Sequence, residues 1–84
     1  MTVHELKILP KYFKAVCDGS KTFEIRKNDR GFKVGDTLLL KEWEDNTRMP
    51  TGREVLAEVT YILYGNPQFG LHEDYCIMSI VVRW

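Results

Sequence analysis

The longest alternating stretch of this 84-residue chain, Arg53–Tyr64, is what most limits its fold. Val55, Ala57, Val59, Tyr61 and Leu63 fall on one side of a period-two pattern, and Leu56, Glu58, Thr60, Ile62 and Tyr64 on the other. Successive side chains part in this way on an extended strand, not on a helix. Four other segments read as strands. Thr2–Leu9 sets His4, Leu6 and Ile8 against Val3, Glu5 and Lys7, and Lys21–Lys27 sets Phe23 and Ile25 against Thr22, Glu24 and Arg26. Thr37–Trp43 and the apolar Tyr75–Trp84 complete the set. One helix interrupts them. Pro10 suits a first helical turn, where its missing N–H costs nothing. Tyr12, Phe13, Val16 and Cys17 follow at helical spacing, and Asp18-Gly19 ends the segment.

Turn residues divide the remainder. Asn28–Gly31 and Val34–Asp36 are short turns, whereas Glu44–Gly52 and Gly65–Asp74 are expected to be long loops. The expected order is β-α-β-β-β-β, a mainly β chain with one short helix (α+β). Closing such strands into a small, mostly antiparallel barrel, with the helix plugging one end, would remove most exposed edges.

Size allows one domain, residues 1–84, since a chain this short buries only roughly 60–65% of its unfolded surface. Cys17 and Cys76 have no C-x-x-C spacing and are expected to be reduced core thiols. No apolar run approaches the roughly 20 residues that span a bilayer. Met1–Lys7 lacks the apolar core of a signal peptide, so the cytoplasm is the expected compartment. Formal net charge is zero, which argues against a protein that coats nucleic acid through bulk charge. The zero conceals a split. Residues 1–35 hold eight Lys and Arg against four acids, and residues 36–84 hold four against eight. The first half thus suits a local anionic partner.

Most of that surplus lies in residues 21–33, with five Lys and Arg against Glu24 and Asp29. Glu24 and Arg26 share a strand face, and Lys21, at the strand's start, can reach over it. Two readings follow from the pattern. One is a solvated strand face with weak cross-strand ion pairs. The other is a converging site, in which Arg26 grips a phosphate or carboxylate, Lys21 adds a point charge, and Glu24 orders them or accepts from an amino group. Lys27, Arg30 and Lys33 read equally well as turn solubilisers.

Gly19-Ser20-Lys21-Thr22-Phe23-Glu24-Ile25-Arg26 matches the G-x-K-x-x-E-x-R signature of ASCH domains, relatives of the PUA RNA-binding barrel. More specifically, five segments resemble the uncharacterised bacterial and phage family DUF3850. They are His4–Ile8, Tyr12-Phe13, Phe23–Arg30, Val34-Gly35-Asp36 and Thr51-Gly52-Arg53. The resemblance runs over essentially the whole chain. It implies a PUA-like β-barrel of about five or six strands, with the signature lining a cleft between barrel and helix. It also implies a module that binds RNA or a modified nucleotide, without cofactor. Lys21, Glu24 and Arg26 would then form the cleft, Lys27 and Arg30 would hold the backbone, and His4 would lie near the cleft, although on a face shared with Leu6 and Ile8 it reads equally well as a hydrogen-bonded barrel histidine. Small bacterial ASCH proteins that remove acetyl groups from N4-acetylcytidine suggest an alternative, an amidohydrolase using Lys21 and Glu24. Their Thr, three residues after the Lys, is Glu24 here, so the nucleophile of that pattern is missing.

Other signals are weaker. His72-Glu73-Asp74, with His4, offers metal-ligand types, but consecutive ligands rarely converge on one ion, so no metal is expected. Gly19–Thr22 lacks the Walker A spacing. Tyr61, Tyr64, Phe69 and Tyr75 flank the second long loop; most of them are expected to fill the barrel, with Tyr64 and Phe69 the ones expected to be exposed for base stacking. The acidic Glu42–Asp45 segment supports a further alternative, a protein-interaction module.

Overall fold

The computed structural model describes residues 1–84. Its elements are β1 (Val3–Ile8), α1 (Pro10–Cys17), β2 (Phe23–Lys27), β3 (Thr37–Glu44), β4 (Met49–Asn66) and β5 (Leu71–Arg83), with a single 3-10 turn at Pro67–Phe69. The strands form one sheet in the order β1-β3-β4-β5-β2. Three pairings are antiparallel and β1–β3 is parallel. A parallel neighbour demands a crossover, and α1 and β2 lie within it.

Each element begins and ends where local chemistry directs. Leu9 is extended before Pro10, as a residue preceding proline prefers, and α1 starts there. At its end Gly19 takes φ 84°, a left-handed conformation that glycine adopts without steric cost. The Gly19 N–H donates to Val16 O and the Lys21 N–H to Ala15 O, fixing where β2 begins. Phe13 and Val16 bury the inner face of the helix against the sheet. Leu38, Leu40, Val59 and Met78 are fully buried there, each contributing about 1.5–3 kcal/mol relative to exposure.

The sheet does not close into the expected barrel. Its free edges are β1 and β2, and arginine side chains bridge them. Arg26 Nη2 donates to Lys7 O at 2.8 Å and Arg30 Nη1 to Glu5 O at 2.9 Å. Glu5 and Lys7 are two residues apart, so both carbonyls leave the same edge of β1. A guanidinium spans more distance than a backbone N–H, and the strands stay apart while their edge groups are still occupied.

The two expected long loops are mostly strand. β3 and β4 pair as far as Glu44–Met49, leaving a tight turn at 45–48. β4 continues to Asn66 and β5 starts at Leu71. Irregularities obscured this continuity. The register shifts between Val59 and Tyr61 and again between Tyr64 and Asn66. The first shift interrupts the alternation: Val59 and Ile62 are both buried, whereas Tyr61 and Leu63 face solvent. At the second shift a side chain on Gly65 would meet the Glu73 backbone at 2.4 Å, so the strands approach closely only because residue 65 is glycine.

No helix is long and apolar enough to cross a membrane.

Candidate functional site

On β2 the usual amphipathic sense is reversed. Phe23 and Ile25 are about half exposed, at 44% and 51%, while Glu24 is 3% exposed. Glu24 and Arg26 stand opposite Met78 and Cys76 of β5, both fully buried. The inward face of β2 therefore carries charge over one end of the hydrophobic core. Burying a carboxylate there requires compensation, since an unpaired ion in the interior is strongly disfavoured. Two cations supply it. Lys21 Nζ donates to Glu24 Oε1 at 2.5 Å and Arg26 Nε to Glu24 Oε2 at 2.9 Å. Lys21 Nζ also donates to Phe23 O at 2.8 Å. The solvated-face reading does not hold for these three residues.

Beside this triad lies a cavity of about 370 Å³ between β2 and the β1–α1 junction. Lys21, Glu24 and Arg26 form its polar side. Ile8, Leu9, Tyr12, Phe23 and Ile25 border it with apolar surface, and Lys7 stands at the rim. The Lys21 ammonium lies 4.9 Å from the Phe23 ring centroid and 5.7 Å from that of Tyr12, within the range of cation–π attraction. Lys7, Lys21 and Arg26 against Glu24 leave the cavity cationic. Cationic polar groups beside aromatic and aliphatic walls suit a ligand with a flat ring and an anionic group.

The remaining sequence candidates lie elsewhere. His4 is buried on β1, its Nε2 2.8 Å from Asp36 Oδ2 and its ring edge-on to Phe32. Burial pushes the Asp36 carboxyl up. Hydrogen bonds from His4 and from the Lys33 and Thr2 N–H groups outweigh burial and hold it below the usual carboxylate range. His4 and Asp36 thus organise the turn before β3 and do not line the cavity. Arg30 is committed to the β1 edge, and Lys27 is exposed on the outer face of β2. Tyr64 is half exposed, but its hydroxyl donates to Phe32 O at 3.0 Å, away from the cavity. Phe69 is exposed, as expected, and is likewise not part of the cavity, but Tyr61 and Tyr75 are exposed too, so these aromatics do not fill the interior.

Within the acidic Glu42–Asp45 segment, Glu44 is half-buried at the end of β3 and Asp45 is exposed in the turn, whereas Glu42 is not a loop residue. Glu42 lies in β3, 2% exposed, and its Oε1 accepts from Thr51 Oγ1 at 2.6 Å and Arg53 Nε at 2.7 Å. Those hydrogen bonds hold its carboxyl below the ordinary value despite burial. Thr51-Gly52-Arg53 supplies both donors where the β3–β4 register breaks, with Gly52 at φ 95°. His72, Glu73 and Asp74 lie in β5 and are exposed, and no three His, Cys, Asp or Glu side chains are placed to hold a metal ion.

Sequence reasoning missed Lys7, Ile8, Leu9 and Tyr12 from β1 and α1, and Phe23 and Ile25 from β2, as cavity residues. Lys7 lies within His4–Ile8 and Tyr12 begins Tyr12-Phe13, two segments that the family resemblance had already singled out. The edge geometry that brings them against β2 left no periodic signal.

Comparison with known proteins places the chain among relatives of undescribed function. It is 47% identical over 58 residues to a protein of Escherichia phage P2 described as "Uncharacterized 12.9 kDa protein in GpA 3'region". That alignment covers 69% of this chain and 51% of the phage protein, so the chain spans about half the length of that relative. The profile of DUF3850, a domain of unknown function, matches residues 3–80. With nearly its full length matched, the chain belongs to the DUF3850 family.

Proposed function

We propose that this chain is a binding module for RNA or a modified nucleotide, on the ASCH/PUA-like plan that its signature resembles. The observation that carries the proposal is the inward-facing Lys21–Glu24–Arg26 triad beside an apolar-walled cavity. A buried ion pair is weak evidence for stability, because apolar residues of similar volume often do as well. A charged cluster kept there at such cost is better accounted for by a ligand. Glu24 acts as the orienting group. It fixes both cations, while Lys21 keeps a free N–H and Arg26 keeps several for phosphate or base-edge oxygens. The aromatic borders take the base.

The same cavity would admit the nucleoside of the amidohydrolase alternative. Both Glu24 oxygens accept from cations, however, which leaves this carboxylate poorly placed to activate water. Binding is therefore the preferred reading.

Fluorescence anisotropy with single-stranded RNA tests it. Affinity should fall as salt rises, and Lys21→Ala or Arg26→Ala should weaken binding about tenfold while circular dichroism stays native. Unchanged affinity in both variants would overturn the assignment.

A further inference from the structure

The cavity beside Glu24 does not stand alone. A second hollow, of about 470 Å³, lies on the other side of the β1–α1 junction and shares Lys7, Ile8 and Leu9 with the first. Its other borders are Trp43 and Glu44 at the end of β3, and Asp45 and Arg48 in the turn that follows. We infer that the two hollows form one groove for two consecutive nucleotides, with Lys7 at the phosphodiester between them. This inference rests on the nucleotide-binding reading and names its substrate as a segment of single-stranded RNA.

Lys7 carries the argument. Lys21 and Arg26 are tied to Glu24, and Arg26 also to the β1 edge. The Lys7 ammonium makes no ion pair or hydrogen bond and rests 4.0 Å from the centroid of the Trp43 ring. It borders both hollows, where the phosphate joining two nucleosides would lie. Trp43 offers the second base an indole surface, and base–aromatic stacking is worth about 1–3 kcal/mol. Glu44 and Asp45 repel phosphate on the far side and accept hydrogen bonds from an exocyclic amino group, so the second position suits cytosine, adenine or guanine better than uracil.

The dinucleoside monophosphate CpC and the mononucleotide CMP separate the possibilities, because each carries one phosphate and CMP has the greater negative charge. Calorimetry on the full chain should show CpC binding about tenfold more tightly than CMP. Trp43→Ala should abolish that advantage, bringing CpC affinity down to that of CMP. Since Trp43 is half-buried, Lys7→Gln serves as the variant that tests the groove without disturbing packing. It should weaken CpC about fivefold, and Lys7→Arg should restore binding. Equal affinity for CpC and CMP, indifferent to Trp43 and Lys7, would overturn the two-nucleotide groove and leave the single-nucleotide site standing. If neither probe nor a longer single-stranded RNA binds, the underlying reading fails as well.

Discussion

At the scale of single residues, Glu24 holds together structure and proposed function. Its carboxylate is buried at the base of the cavity, and it holds Lys21 and Arg26 together. Glu24→Gln removes the charge between two cations. Breaking a fully buried ion pair costs about 3–5 kcal/mol, but Lys21 and Arg26 keep some solvent access, so a loss of about 2 kcal/mol is expected. A lower urea midpoint with unchanged slope would register it. Asp36 and Glu42 lead to a second expectation. Both hold their protons less tightly in the native state than in the unfolded chain, so folding favours proton release. Their contribution is complete above the ordinary carboxylate value of about 4 and disappears as pH falls through the lower native values. Stability measured by thermal unfolding should therefore decline across that acid range, and the Asp36→Asn, Glu42→Gln double variant should show a shallower decline.

Among the elements, β2 shows what a strand pattern conveys and what it omits. Alternation separated Phe23 and Ile25 from Glu24 and Arg26 correctly, and the position of Lys21 at the strand's start was legible too. Which face turns inward was not, because β2 is an edge strand whose inner side meets the β1 seam as well as the core. Long β4 concealed a different problem. Its irregularities at Thr60 and Gly65 displace the side-chain alternation, and Gly-, Asn- and Pro-containing segments that form hairpin ends resemble loops in sequence. Gly65 makes this testable. A methyl group there would meet the Glu73 backbone, so Gly65→Ala should destabilise the chain by about 2 kcal/mol or more. Gly70→Ala offers a contrast, since its methyl would meet nothing within 4 Å and the cost would be only that of its left-handed φ. Comparable chemical-denaturation midpoints for the two variants would contradict the close approach.

Across the whole molecule, neutrality and the cationic cavity are compatible because charge is spent unevenly. Arg30 occupies the β1 edge, Arg53 neutralises Glu42 and Arg83 pairs with Glu58, whereas Lys21 and Arg26 meet around Glu24 and Lys7 borders the same cavity. Such a surface disfavours indiscriminate nucleic-acid binding and permits one local site. The most direct test is a 15N-resolved NMR titration of the chain with short single-stranded RNA. Amide shifts should cluster at residues 7–12, 21–26 and 43–48 and diminish in Lys21→Ala. Shifts confined to the outer sheet face around Tyr61 and Tyr75, or no shifts at saturating RNA, would contradict the assignment of the cavity as the binding site.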